Sequence, residues 1–181
     1  MSPTAWRHGL VLTPSELTPA DIRAIKDALT PAQTCALTAW GEARCRLVKG
    51  KGWVDNPLEA MVEILEVIDW RARDPRWKAL GHKGVCLKPW QFSCWTPKGG
   101  RENFEMVITR AQELLAGLTP STKLLGCLAA AETTVAGTLI PVFPPKTCHY
   151  YSRSMPTPPT WAIGRQPVAD RHGHLFFANI T

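Results

Sequence analysis

The side chain best placed to do chemistry is the carboxyl of Glu42, in the run Trp40-Gly41-Glu42-Ala43-Arg44. Wound at helical pitch, Ala32, Ala36, Ala39, Trp40 and Ala43 share one apolar face, and Glu42 falls at its edge beside Cys35 and Ala39. Lost hydration and the nearby negative end of the helix dipole both favour the protonated form, the state a general acid needs. The competing reading is an ordinary surface glutamate paired with Arg44 or Arg46. Gln91, Ser93, His149, Tyr150 and Tyr151 can supply hydrogen bonds around a ligand, although His149 equally suits a structural role. Eight tryptophans are many for this length, and those at 53, 77, 90, 95 and 161 fall in expected loops. Flat aromatic faces beside a few polar groups suit stacking on sugar rings, so several of the five are expected to line a groove, with Trp95 and Trp161 taken as candidate binding residues; tryptophans also plug loop-rich cores. Cys94 or Cys148 with His149 holds the parts of a thiol nucleophile, but nothing local activates the thiol. The chain has no P-loop, no dinucleotide fingerprint and no Ser-His-Asp set with a nucleophile elbow.

The elements that must position these groups are mostly helical. Thr30 caps a helix, Pro31 suits its first position, and Gln33 stands where a capping box wants its partner. Thr18-Pro19-Ala20-Asp21 opens a shorter helix running to 29, and residues 1–17 form an irregular N-terminal arm. The basic, Gly-rich stretch 45–55 has no sustained period and is expected to be an exposed loop or flap. Asn56-Pro57-Leu58-Glu59 is a second capping signal, opening a helix to residue 73 whose apolar face is wide and whose Glu59, Glu63, Glu66 and Asp69 form its solvated side. Asp74-Pro75 ends it. Residues 76–100 form a long irregular segment rich in Gly, Pro and Trp, and helices return over 102–118 and 123–136. Beyond Gly137 the chain is Pro-rich and mostly loop, with room for one short strand at 174–177.

Composition narrows the classes. With 181 residues the chain builds one good core, so residues 18–181 are taken as a single catalytic domain. A net charge of +6 and a pI near 9.2 suit an anionic environment, but the basic residues are scattered, which argues against nucleic acid as partner. No stretch is long enough to span a membrane and no secretory signal opens the chain, so the expectation is synthesis in the cytoplasm without membrane insertion, as a monomer. The six cysteines are expected as mostly free thiols, with Cys86 and Cys94 the most plausible pair because one loop holds both. Their spacing offers no zinc half-site, and no metal or other cofactor is expected.

Together these motifs resemble a known family. Trp40-Gly41-Glu42-Ala43-Arg44, the helix ending Val67-Ile68-Asp69-Trp70-Arg71, Asp74-Pro75-Arg76-Trp77, Val85-Cys86, Gln91-Phe92-Ser93-Cys94-Trp95, and His149-Tyr150-Tyr151 with Trp161 and His174 are similar, in the same order, to the cell wall hydrolase family of the spore cortex-lytic enzymes. The resemblance covers about residues 37–177. It implies a mainly α, compact lysozyme-like domain with long Trp/Pro-rich loops and at most a short β-strand or hairpin. It also implies cleavage of peptidoglycan glycan strands, with Glu42 as the catalytic acid. The chain departs from the family in its 45–55 insertion and in Trp70-Arg71, where the family usually has Asn-Arg. Lack of a secretion signal fits a bacteriophage endolysin, made in the host cytoplasm and acting on the wall after release.

The expected reaction follows from counting carboxylates. Hydrolytic glycosidases usually use two, about 5 Å apart for retention or roughly 6.5–9.5 Å for inversion, and here only Glu42 has a clear claim, with Asp55 the one loop acid able to approach. One acid suffices for a lytic transglycosylase: Glu42 protonates the glycosidic oxygen, then takes the proton of the sugar's 6-hydroxyl as a 1,6-anhydro ring closes. Tyr150, Tyr151 or Ser93 would steady the cationic sugar. The alternatives are a muramidase or chitinase-like hydrolase using a second carboxylate, and a non-catalytic wall-binding module.

Overall fold

A computed structural model describes residues 10–97 and 100–180; residues 1–9 of the expected N-terminal arm lie outside the described part. The capping signals at Thr18 and Thr30 form as their sequences require. Thr18 accepts from the Asp21 amide and Thr30 from the Gln33 amide, opening α1 (Pro19–Ala28) and α2 (Pro31–Ala43) with proline at the first position. Most of α2 is buried, because its small Ala, Cys, Thr and Gly side chains let neighbours approach from every side. It packs against α3 (Leu58–Arg73), α4 (Gly81–Leu87), α5 (Arg101–Leu115) and α6 (Thr122–Val135). Residues 10–17 lie irregularly over α5, where Gln112 both donates to the Leu12 carbonyl and accepts from its amide.

The 45–55 stretch, expected as an exposed loop or flap, is a β-hairpin. β1 (Cys45–Val48) and β2 (Gly52–Asp55) pair antiparallel, with Gly50 and Gly52 supplying the positive φ that the turn needs. Asn56 does not cap the next helix. It is buried, donates to the carbonyls of Ala43 and His172, and accepts from Arg46, so it ties the end of α2 to the hairpin and to the C-terminal sheet. The irregular segment after α3 likewise holds more structure than expected: α4, and a 3-10 turn at Ser93–Trp95.

The C-terminal region departs furthest from the sequence expectation. β3 (Thr147–Ser152), β4 (Ala169–Arg171) and β5 (His174–Ala178) form an antiparallel sheet in the order β3-β5-β4. Helix, 3-10 turns included, covers 52% of the described residues and strand 13%, so the fold is mixed α/β. The expected mainly α, lysozyme-like domain with at most a short hairpin is therefore corrected, because residues 147–178 pair across long sequence separations.

That sheet and the strand of chain before it cover the polar side of α3. Glu63 and Glu66 are consequently buried, not solvated, Asp69 is buried beside His82 of α4, and of the four acids only Glu59 stays exposed. Each buried acid has its own surroundings. Glu66 accepts from the amides of Val142 (2.7 Å) and Phe143 (3.1 Å). Asp69 takes Arg73 and His82. Glu63 faces Arg171 and His172 at 3.5 and 3.7 Å, and its Oε2 has no hydrogen-bond partner.

All six cysteines are free. Cys86 Sγ lies 3.9 Å from Cys35 Sγ, whereas Cys94 points to the Thr38 carbonyl, so Cys86 and Cys94, the pair thought most plausible, are not joined.

Candidate active site

Glu42 stands in the last turn of α2, half-buried, at the floor of an open cavity of about 610 Å³. Its carboxyl accepts three hydrogen bonds from two separate segments. Ser93 Oγ (3.0 Å) and the Cys94 amide (2.8 Å) donate to Oε1, and the Tyr150 hydroxyl donates to Oε2 at 2.9 Å. The ion pair with Arg44 or Arg46 does not form. Arg44 instead donates to the Asn103 side chain and lies 4.7 Å over the Trp40 ring, and Arg46 donates to Asn56.

Gly41 allows this convergence. A Cβ at that position would lie 2.8 Å from both Cys94 Cβ and Val107 Cγ2, so only glycine lets the Ser93–Trp95 turn come close enough for its amide to reach the neighbouring glutamate. Tyr150 reaches Glu42 from β3, where Phe92, His174 and Phe176 pack around its ring. Burial, reinforced by the Glu42 charge, raises the Tyr150 phenol well above its ordinary range, so it remains a donor.

Arg71 sits behind these groups. It is 6% exposed, donates from Nε to the Cys148 carbonyl (2.7 Å) and from Nη1 to that of Gln91 (3.2 Å), and stacks 4.8 Å from the Phe92 ring. Among the described residues it forms no ion pair, so its buried charge faces the cavity it shares with Glu42. Arg44, Arg46 and Arg71 are the three cations lining the cavity, and among its described lining residues Glu42 is the one carboxylate.

The structure sorts the other candidates. Gln91, Ser93, Tyr150, Tyr151 and Trp161 line the cavity with Glu42. Trp95 does not: it is buried in the core and donates to Thr38 Oγ1 at 2.7 Å. His149 also stays off the cavity wall, packed between Trp77 and Trp161. Burial, with Arg71 and Arg76 adding to it, lowers His149 to about 4, and burial raises the Cys148 thiol. The Cys148–His149 contact of 3.2 Å thus joins a neutral thiol to a neutral imidazole, and the Cys94 thiol is raised too, first by burial. Asp55, the expected second acid, is 85% exposed at its side chain and pairs with Lys123.

Trp53 and Trp90, two of the five loop tryptophans from which groove-lining residues were expected, also line the cavity, as do Arg71, Asn103 and His174, which had been assigned no role there. Which of the five loop tryptophans would reach the cavity was not legible from the sequence. Arg71 carried no signal of burial, because arginine is ordinarily exposed and the Gln91 and Cys148 carbonyls that receive it are distant in sequence. Among the described residues, no three His, Cys, Asp or Glu side chains group to hold a metal ion, and no helix is long and apolar enough to cross a membrane. Comparison with protein-family models, curated proteins and solved structures finds no match to this chain.

Proposed function

We propose that this protein cleaves the MurNAc–GlcNAc bond of peptidoglycan as a lytic transglycosylase, with Glu42 as both acid and base and cell lysis as the outcome. The observation that carries this reading is a lone carboxylate held by three donors at the floor of an open, arginine- and aromatic-lined cavity. A two-carboxylate hydrolysis would need a second acid about 5 Å or roughly 6.5–9.5 Å away, and Asp55 is engaged with Lys123 outside the lining.

In the proposed reaction the Glu42 carboxyl gives its proton to the glycosidic oxygen as the bond to the anomeric carbon breaks. Ser93, the Cys94 amide and Tyr150 then hold the resulting carboxylate in place. That carboxylate takes the proton of the 6-hydroxyl while its oxygen closes onto the anomeric carbon, which restores the acid and consumes no water. The mobile part is the sugar; the base is already positioned.

The test is digestion of purified sacculi by wild type and Glu42→Gln, with mass spectrometry of the products and circular dichroism alongside. The expected outcome is 1,6-anhydro ends from wild type and turnover at least ~10²-fold lower from a folded Glu42→Gln. Reducing ends would assign hydrolysis instead, and near-normal turnover by the variant would move the chemistry away from Glu42.

A further inference from the structure

Two tryptophans that line the cavity are widely exposed, and one of them, Trp90, is held at a conformational cost. Trp53 on β2 is 71% exposed and Trp90 is 81% exposed, and both line the cavity above Glu42. Both follow Glu42 in sequence, Trp53 on the hairpin after α2 and Trp90 in the loop after α4.

The backbone at Trp90 is informative. The Gln91 amide donates to the Lys88 carbonyl at 3.2 Å, closing a turn with Pro89 and Trp90 as its central residues, and Trp90 has φ +68°. Positive φ at the second central position marks a type II turn, where glycine or asparagine is the ordinary occupant and a bulky side chain is strained. Arg71 grips the Gln91 carbonyl from the buried side and fixes that strain in place. Neither the turn geometry nor packing favours an indole here. A ligand that covers the ring would supply what the free protein lacks.

We propose that Trp53 and Trp90 are stacking platforms for a polysaccharide strand, taking the apolar faces of sugar rings in the cavity that holds Glu42. The choice of ligand class rests on the transglycosylase reading; the stacking role itself does not depend on cleavage. Flat exposed rings at the rim of an open cleft suit pyranose faces, and the three arginines inside suit the anionic groups of a bacterial wall polymer.

The experiment measures co-sedimentation with purified sacculi, using Glu42→Gln as background so that nothing is digested. Trp53→Ala and Trp90→Ala should each weaken binding by about 3- to 10-fold, the range of one aromatic contact. Ile140→Ala, which removes an equally exposed apolar side chain away from the cavity, should leave binding unchanged. Trp90→Gly separates binding from structure: it should raise the melting temperature by relieving the positive φ while weakening binding as Trp90→Ala does. Undiminished binding by both folded alanine variants, or a lower melting temperature for Trp90→Gly, would overturn the proposal. Tight tryptophan-dependent binding by a protein whose wild type releases no muropeptide would retain the stacking platforms and reject the transglycosylase.

Discussion

At the scale of single residues, the site depends as much on an absent side chain as on those present. Glu42 can be held by the Cys94 amide because Gly41 lets the Ser93–Trp95 turn lie against α2. The crowding atoms that a methyl group would meet are Cys94 Cβ and a Val107 methyl, neither of them the far end of a flexible chain, so the turn or α5 must move. We expect Gly41→Ala to lower stability by ~1–3 kcal/mol, as overpacking does, and to lower specific activity of the protein that remains folded. Urea melts paired with sacculus assays on the folded fraction check both. Full activity with unchanged stability would show that the close approach is not needed to hold Glu42.

At the scale of elements, the hairpin β1–β2 is the piece that turns a helix end into a walled cavity. It brings Trp53, Cys45 and Arg46 to the cavity wall, and Asn56 anchors its base to α2 and to the β4–β5 turn. Lys49 and Lys51 are exposed at its tip. Charges so placed attract an anionic wall polymer through solvent, and the attraction is screened over a Debye length of ~10 Å at 0.1 M salt. Replacing both lysines by serine should therefore slow digestion of sacculi at low ionic strength and make little difference at high salt. A rate-against-salt curve superimposable on that of wild type would remove the hairpin's charge from the mechanism.

At the scale of the whole molecule, the acids of α3 make stability depend on pH. Burial raises Glu63 to about 7 against the pull of Arg171, with Glu66 and Glu59 adding to the rise. The folded state then holds a proton that the unfolded chain, with an ordinary value near 4.5, gives up earlier. The contribution of Glu63 is complete below about pH 4.5 and is lost as pH rises to about 7. His149 and His174 act with the opposite sign. Burial lowers both to about 4, so their contribution is complete above about 6.5 and is lost as pH falls to about 4. Glu63→Gln, which stays neutral, should be more stable than wild type at pH 7–8, and the gain should vanish near pH 4.5. Urea unfolding across this range checks the sign; a gain that persisted at pH 4.5 would show that the variant acts through packing instead.

The sequence by itself determined the frame around Glu42. A helix start is decided within four residues, so Thr30, Pro31 and Gln33 were sufficient to place α2, and α2 in turn put Glu42 half in the core. Ser93 and Tyr150 were legible as candidate hydrogen-bonding residues, but not that both donate to Glu42. Only the tertiary structure decided the sheet, because Thr147 and Ala178 are partners through a pairing that no local pattern in a Pro-rich tail announces. The same non-locality explains the largest misreading. Glu63 and Glu66 suit solvent until residues 142–178 fold over them, Asp69 suits it until His82 of α4 meets it, and Trp95 looks like a loop tryptophan until Thr38 takes its indole N–H. Periodicity tells which residues share a face; what covers that face depends on chain distant in sequence, and that cover decided which charges are buried, which tryptophans are free and which walls enclose Glu42.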